Sequence, residues 1–328
     1  MSDANQTNYP GWTEDQWGRV HKAVAEEAQK ARVAAQFLPL FGPVDSSVVA
    51  VPDLLLGDVP NPPWAPLRQP NRLDVDSTPN TQLATLSVQI PLATHEVADP
   101  EQLAALSQFR RAAVTLARVE DALIFNGQPG PAMNPFGTAA LRPVFVVTGG
   151  GLQAGLVPAG AAANAAPVLA NIPPRSNRQI ATPAGVGIPP GWAGVARQAN
   201  MATWGETVVA AVCAAIGDLE LAGHSGPFAC FLAPDVFEAV HTPPANMTLP
   251  RDRILPFLGG DYLRRSSMIP NGYGIIVALG GGPVEIVVAS DISVRYLQQT
   301  TEPRFLFRVS ERIALRVKEW NAVAVLHP

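Results

Sequence analysis

Between Pro52 and Gln82 the chain carries Pro60, Pro62, Pro63, Pro66, Pro70 and Pro79. Each proline removes a backbone donor and fixes φ, so this stretch cannot be helical and breaks into extended pieces. A connection this long, with little regular structure of its own, is uncommon inside a compact domain. As an arm or loop that packs on a neighbouring subunit it is accounted for. A second stretch, 128–205, holds no Asp, Glu, Lys or His, and its only charges are Arg142, Arg175, Arg178 and Arg197. Ala, Pro and Gly dominate it, with a strand-like island at Val144–Val147. The region 128–202 therefore reads as an insertion offering an apolar, mildly cationic surface.

Between and beyond these stretches the pattern is regular. A helix is expected over Thr13–Ala35, because Thr13 and Gln16 have capping-box spacing and Glu14 and Asp15 add negative charge to its first turn. Trp17, Val20, Val24, Ala28 and Ala31 form its apolar face. Leu83–Leu92 alternates as a strand does. A long helix is predicted over Pro100–Asn126, with Asp99 as cap, Pro100 at its first position and Gly127 as stop. At that length it spans roughly 40 Å, enough to act as the spine of a domain. A third helix is expected from Thr203 to Ala222, with Glu206 completing a capping box. Phe228–Leu232, Tyr273–Leu279 and Val284–Ala289 read as strands, with a short helix over Asp235–Val240 and a tight hairpin turn at Gly280–Pro283. The mixture is α+β, not a regular alternation of strand and helix.

Charged residues make up 15% of the 328, against about 25% in an average soluble domain. A chain so poor in charge hides much of its surface or carries an uncharged segment. The net charge of −4 argues against nucleic acid or an anionic membrane as partner. Lys22, Lys30 and Lys318 are the only lysines, so nearly all positive charge is arginine, the better residue for interfacial ion pairs. Cys213 and Cys230 sit in apolar surroundings and read as buried, inert thiols. The polar start has no secretory pattern, and no apolar run reaches membrane-span length without Pro or Gly. A cytoplasmic protein is expected.

The search for chemistry finds little. Gly280-Gly281-Gly282 lacks the Lys-Ser/Thr ending of a phosphate loop. His21, His95, His224, His241 and His327 show no metal-ligand spacing. Glu120 and Asp121 are adjacent, so on a helix they point about 100° apart and do not by themselves make an acid/base pair. No catalytic residue, cofactor or metal is expected.

Several segments nevertheless occur in a telling order. They are the Trp17-bearing helix leading to Phe41-Gly42-Pro43, the run Glu120-Asp121-Ala122-Leu123-Ile124-Phe125-Asn126-Gly127, then Gly226-Pro227-Phe228 with Ala233-Pro234. Asp291-Ile292-Ser293-Val294-Arg295-Tyr296 follows, and Phe305–Val309, Glu311 and Asn321-Ala322-Val323 continue. Together they resemble the encapsulin family, relatives of tailed-phage major capsid proteins. The resemblance covers most of the chain outside the insertion and rests on order and spacing, not on one motif.

The resemblance implies the tailed-phage capsid-protein fold (Hong Kong 97 type). Its parts are an N-terminal helical arm over 1–43, an extended loop and return strand over 44–92 and the spine helix of a peripheral domain over 93–127. After the insertion come a mainly axial domain over 203–290 and C-terminal strands of the peripheral domain over 291–328. It further implies a homo-oligomeric icosahedral shell around a cargo enzyme, a peroxidase or ferritin-like protein, held through a targeting peptide. By resemblance the peptide docks on Gln36, Phe37, Leu38 and Leu40, where the family's usual basic and acidic residues are absent and the groove is apolar. Arg251, Asp252, Arg253 and Asp261 fall in the region that lines a pore. Two rivals stand beside this reading. One is a phage major capsid protein enclosing DNA, although the proline-rich loop offers no lysine for a Lys–Asn cross-link. The other is a small-molecule enzyme whose site the sequence hides.

Overall fold

The Thr13 hydroxyl accepts the Gln16 N–H at 3.3 Å, and the Gln16 side chain accepts the Thr13 N–H at 2.9 Å. This reciprocal cap opens the first helix of a computed structural model that describes residues 11–45, 47–59, 72–77, 79–127, 144–151, 154–157, 176–179, 195–244, 248–300, 302 and 304–327. In chain order the elements begin with α1 (Glu14–Ala31), β1 (Leu40–Phe41), β2 (Ala50–Pro52), β3 (Leu55–Val59), β4 (Arg72–Asp76) and β5 (Asn80–Gln82). Then come β6 (Ala84–Ala93), α2 (Thr94–Ala98), α3 (Leu103–Asn126), β7 (Phe145–Gly149), β8 (Ser176–Gln179) and α4 (Val195–Leu221). The remainder is β9 (Phe228–Leu232), α5 (Pro234–His241), α6 (Pro250–Leu258), β10 (Leu263–Arg265), β11 (Gly274–Ala278), β12 (Val284–Gln299), β13 (Arg304–Val317) and β14 (Val323–His327).

Two five-stranded sheets organise the chain. The first runs β1-β12-β13-β6-β7, with β1 parallel to β12 and the other neighbours antiparallel. α1 and α3 pack together over one of its faces. Burial along β6 alternates strictly, with Ala84, Leu86, Val88, Ile90 and Leu92 turned inward and the residues between them more exposed. The second sheet runs β10-β9-β11-β14-β8. Every residue of β9 and β11 is buried, which suits strands covered on both faces, and α4, α5 and α6 pack around them. Phe125 of α3 meets Phe231 of β9 with ring centroids 5.2 Å apart, joining the two units in one apolar core.

Several boundaries differ from the sequence reading. α1 ends at Ala31, four residues early, because the next backbone N–H groups, Val33 and Ala34, turn to the Asp121 carboxylate. α3 begins at Leu103, not Pro100. The short helix α2, capped by Glu96 on the Ala93 N–H at 2.7 Å, ends at Ala98, and 99–102 form the turn between the two helices. The reversal into α3 then places Gln102 in the left-handed region at φ 54°. Asp99 still caps, accepting the Leu103 N–H at 3.0 Å. α4 starts at Val195, so Thr203 is interior and no cap; the Ala, Arg, Gln and Met run before it favours helix.

Two larger corrections concern topology. Gly280–Pro283 does join two strands, but β11 and β12 lie in different sheets, so the turn is a crossing between units and not a hairpin. The final segment, 291–328, is likewise divided: β13 belongs to the first sheet and β14 to the second. Of the predicted insertion, 128–143, 152–153, 158–175 and 180–194 lie outside the described residues, Arg142 and Arg175 among them. What is described supplies an edge strand to each sheet, β7 and β8, and the start of α4. Residues 60–71 of the predicted loop also lie outside. Among the described residues one helix segment, Met201–Leu221, has the length and apolarity of a membrane span. It is half buried as the cover of the second sheet.

Candidate functional site

The strongest concentration of charge in the interior sits where α1 ends. Arg32 donates from Nε to Glu120 at 2.6 Å, and a terminal nitrogen reaches Asp291 at 2.9 Å and also Glu311. Glu120 and Glu311 are almost wholly buried. Burial pushes both carboxyls above the ordinary range, Glu311 well above it, with mutual repulsion adding to its rise and Arg32 opposing. Burial also works against the Arg32 charge, but Glu311, Glu120 and Asp291 outweigh it and hold the guanidinium above its usual value. One cation facing two buried carboxylates leaves that pair holding a proton to higher pH than free carboxylates would.

Asp121, one residue on, makes a different contact. Its carboxylate accepts the Ala34 N–H at 2.9 Å and the Val33 N–H at 3.1 Å. Burial raises it to about 7 despite those two donors. Glu120 and Asp121 thus point to separate partners, as their helical spacing requires, and both fasten the exit of α1 to α3. The arrangement is a latch. The signal for it in the sequence was a Glu-Asp pair set in an apolar helical run, Val119 to Phe125; nothing there marked Arg32.

The segment that follows decides the fate of the docking residues. Leu38 is 3% exposed and belongs to the main core, so it cannot wall an open groove. This corrects its expected role: the short helical turn Ala34–Gln36 directs Leu38 inward. Phe37 is half-buried, edge-on to Tyr262 at 5.5 Å and Phe231 at 6.0 Å, with the Arg264 guanidinium 5.0 Å over its ring. It ties α1 to the second unit. Gln36 is exposed and donates to the Arg32 carbonyl at 2.6 Å. Leu40 is 58% exposed and Phe41 44%, on β1, the outermost strand of the first sheet. The Arg316 guanidinium lies 4.4 Å over the Phe41 ring. Gly42 follows at φ 135°, where a Cβ would collide with the Val288 carbonyl, so only glycine turns the chain here.

The charged group expected to line a pore sits on α6 and the turn after it. Arg251 lies 3.8 Å from Asp261, which also meets Arg264 at 3.3 Å, and Arg253 pairs with Glu206 of α4. Asp252 is exposed on the first turn of α6, where its charge suits the helix N-terminus. Arg251, Arg253 and Asp261 are thus all matched within the subunit. Nearby, an open cleft of about 500 Å³ is lined by Asp235, Phe237, Glu238, Arg265 and Asn271 among others. Asp235 there accepts the backbone N–H of Gly272 at 2.8 Å, and Arg265 rests over the Phe237 ring. Among the described residues no three His, Cys, Asp or Glu side chains gather as metal ligands. Cys230 is fully buried, which pushes its thiol up to about 12.

Solved structures place this architecture. The virus-like particle of Pyrococcus furiosus superposes with a TM-score of 0.60 at 13% identity, covering 96% of this chain and 100% of that one. The capsid of Myoviridae phage XM1 gives 0.56 at 11% identity over 90% and 91%. The fold is the tailed-phage capsid-protein fold. In sequence, the type 1 encapsulin shell protein EncA of Myxococcus xanthus (strain DK1622) is 26% identical over 116 residues, 35% of this chain. The aligned part spans 40% of that relative's length. Residues 9–135 and 190–314 match the Linocin_M18 family model, described as encapsulating protein for peroxidase. The unmatched gap falls inside the Ala/Pro/Gly-rich insertion and the two matched blocks include strands of both sheets, so the chain belongs to the encapsulin family of shell proteins and is a structural subunit, not an enzyme.

Proposed function

We propose that this chain assembles into a closed icosahedral shell, a cytoplasmic nanocompartment, and encloses a cargo enzyme brought in by a targeting peptide. The observation that carries the reading is the family match across both folded units. A peroxidase is the cargo class the family description favours; a ferritin-like iron protein is the other candidate. The cargo peptide docks beside the exit of α1. Gln36, the outer side of Phe37, Leu40 and the neighbouring Phe41 form the accessible part of that surface, and Leu38 supports it from beneath. A disordered tail gains affinity there from a few aliphatic anchors. Arg251, Asp252, Arg253 and Asp261 lie near a symmetry axis, where rings of such charges set which ions enter. The shell itself is catalytically silent.

Expression of the chain alone should yield a megadalton particle by size-exclusion chromatography with light scattering; a stable monomer or dimer overturns the shell reading. Leu40→Asp with Phe41→Asp should leave particles intact and strip them of co-purified cargo. Intact particles with full cargo would move the docking surface elsewhere. Particles filled with DNA would favour the phage-capsid rival.

A further inference from the structure

α3 carries three arginines that its own subunit leaves unanswered. Its buried side is set by Ala105, Phe109, Ala112, Ala113 and Leu116, all in the main core. At about 100° per residue, Leu103, Ser107, Arg110, Arg111, Val114 and Arg118 fall together on the opposite side, in one stripe roughly 22 Å long. Leu103 is 71% exposed, Ser107 and the three arginines are exposed, and Val114 is half-buried. α3 holds no Asp or Glu before Glu120. Among the described residues none of the three arginine side chains forms an ion pair. α1, packed beside it, differs. Each of its Lys and Arg residues meets a carboxylate: Arg19–Glu101 and Lys22–Glu26 at 3.9 Å, Lys30–Glu27 at 3.1 Å. In a chain whose net charge is −4, this stripe concentrates unmatched positive charge on one helix face.

Two features say what such a stripe receives. α1 and α3 cover the same face of the first sheet, so the exposed side of α3 looks the same way as that of α1, beside whose exit the cargo peptide is proposed to dock. The stripe is also not purely basic. Leu103 and Val114 stand among the arginines, and apolar residues on a helix face engage the apolar face of a partner helix, whereas a phosphate chain gains nothing from an exposed leucine. The α3 of a second copy would set arginine against arginine. We propose that the stripe from Leu103 to Arg118 is a second docking surface for the enclosed protein, and that it takes an acidic amphipathic helix. Carboxylates of that helix meet the three arginines, whose planar forks suit them, and its apolar side chains meet Leu103 and Val114. This rests on the shell reading and adds a contact separate from that of the targeting peptide. Repeated in every copy around one enclosed space, such contacts act together even where each is weak.

A fluorescent reporter without a targeting peptide tests it. The reporter ends in a helical tail of Glu with Leu at every third or fourth position and is co-expressed with the affinity-tagged chain. It should co-purify at least about tenfold better than the same reporter with Lys in place of Glu. Arg110→Glu with Arg111→Glu and Arg118→Glu should reverse that preference, with the fold by circular dichroism and the particle yield by light scattering unchanged. Leu103→Ser should lower retention of the Glu tail without creating a preference for Lys. Where the triple Glu variant fails to fold, Arg110→Gln, Arg111→Gln and Arg118→Gln decide in its place, and the preference should vanish. Equal retention of both tails by the wild-type chain overturns the inference, as does a Glu preference that survives the Gln variant. A folded Gln variant that no longer forms particles also overturns it, assigning the stripe to a contact between copies. Nucleic acid bound to the wild-type chain and absent from the Gln variant overturns it too, naming phosphate as the occupant. Co-purification reads the contact whether or not the chain assembles, whereas a wild-type chain without particles removes the shell reading.

Discussion

The two sheets of this chain keep charge in opposite ways. The second has strands buried on both faces; β9 and β11 expose no residue, and its ion pairs lie outside, on α4, α6 and the turn that follows α6. The first keeps charge in its interior. Arg32, Glu120, Glu311 and the nearby Asp121 lie under α1, and Glu285 with Arg316 forms a second buried pair. The difference follows from what each unit has to hold. Helices packed on continuous apolar strands are held by area alone. The end of α1 presents backbone N–H groups and a guanidinium to the core, and these need acceptors there.

The comparison predicts where the chain is most sensitive. Arg32→Ala leaves Glu120 and Glu311 buried without their cation, and should lower the unfolding free energy by about 3–5 kcal/mol near neutral pH. The deficit should shrink on acidification, as the carboxyls neutralise. Denaturation followed by tryptophan fluorescence reads both, since Trp12 and Trp17 sit on the same unit. A loss under about 1 kcal/mol would mean the cluster is neutral already and the latch is weak.

Asp121 gives a pH-dependent contrast. Its carboxyl, raised to about 7 by burial, holds its proton in the folded chain where the unfolded chain has released it. That contribution is complete below the ordinary carboxylate range and declines as pH rises from about 4 to about 7. Asp121→Asn should flatten this decline, which approaches about 1.4 kcal/mol per pH unit at its steepest. Ile276→Val in the second sheet should lower stability by about 1 kcal/mol at every pH and leave the slope unchanged. Equal slopes in wild type and Asp121→Asn would break the distinction between the units. An effect of the same size as that of Ile276→Val is expected at the start of α1, where Thr13→Ala removes one half of the capping box and should cost about 1 kcal/mol in the same assay.

Much of the fold was legible because its signals are local. The Thr13–Gln16 cap, the alternation of β6 and the apolar run of β9 each act within a few residues, and each appears where it was expected. The starts of α3 and α4 were misplaced for want of context: a turn over 99–102 delays one, and good helix formers extended the other. Leu38 was misread because an apolar residue in an irregular segment has no period to reveal its facing.

The sequence by itself determined the α+β class, the principal helices and strands, and the order of segments that marks an encapsulin. The tertiary structure alone decided that Glu120 answers an arginine 88 residues earlier, that the Gly280–Pro283 turn crosses between sheets, and that Arg295 stands opposite Arg308. Caps and alternation are set by neighbours along the backbone, whereas ion pairs and strand register depend on which distant segments the folded core brings together.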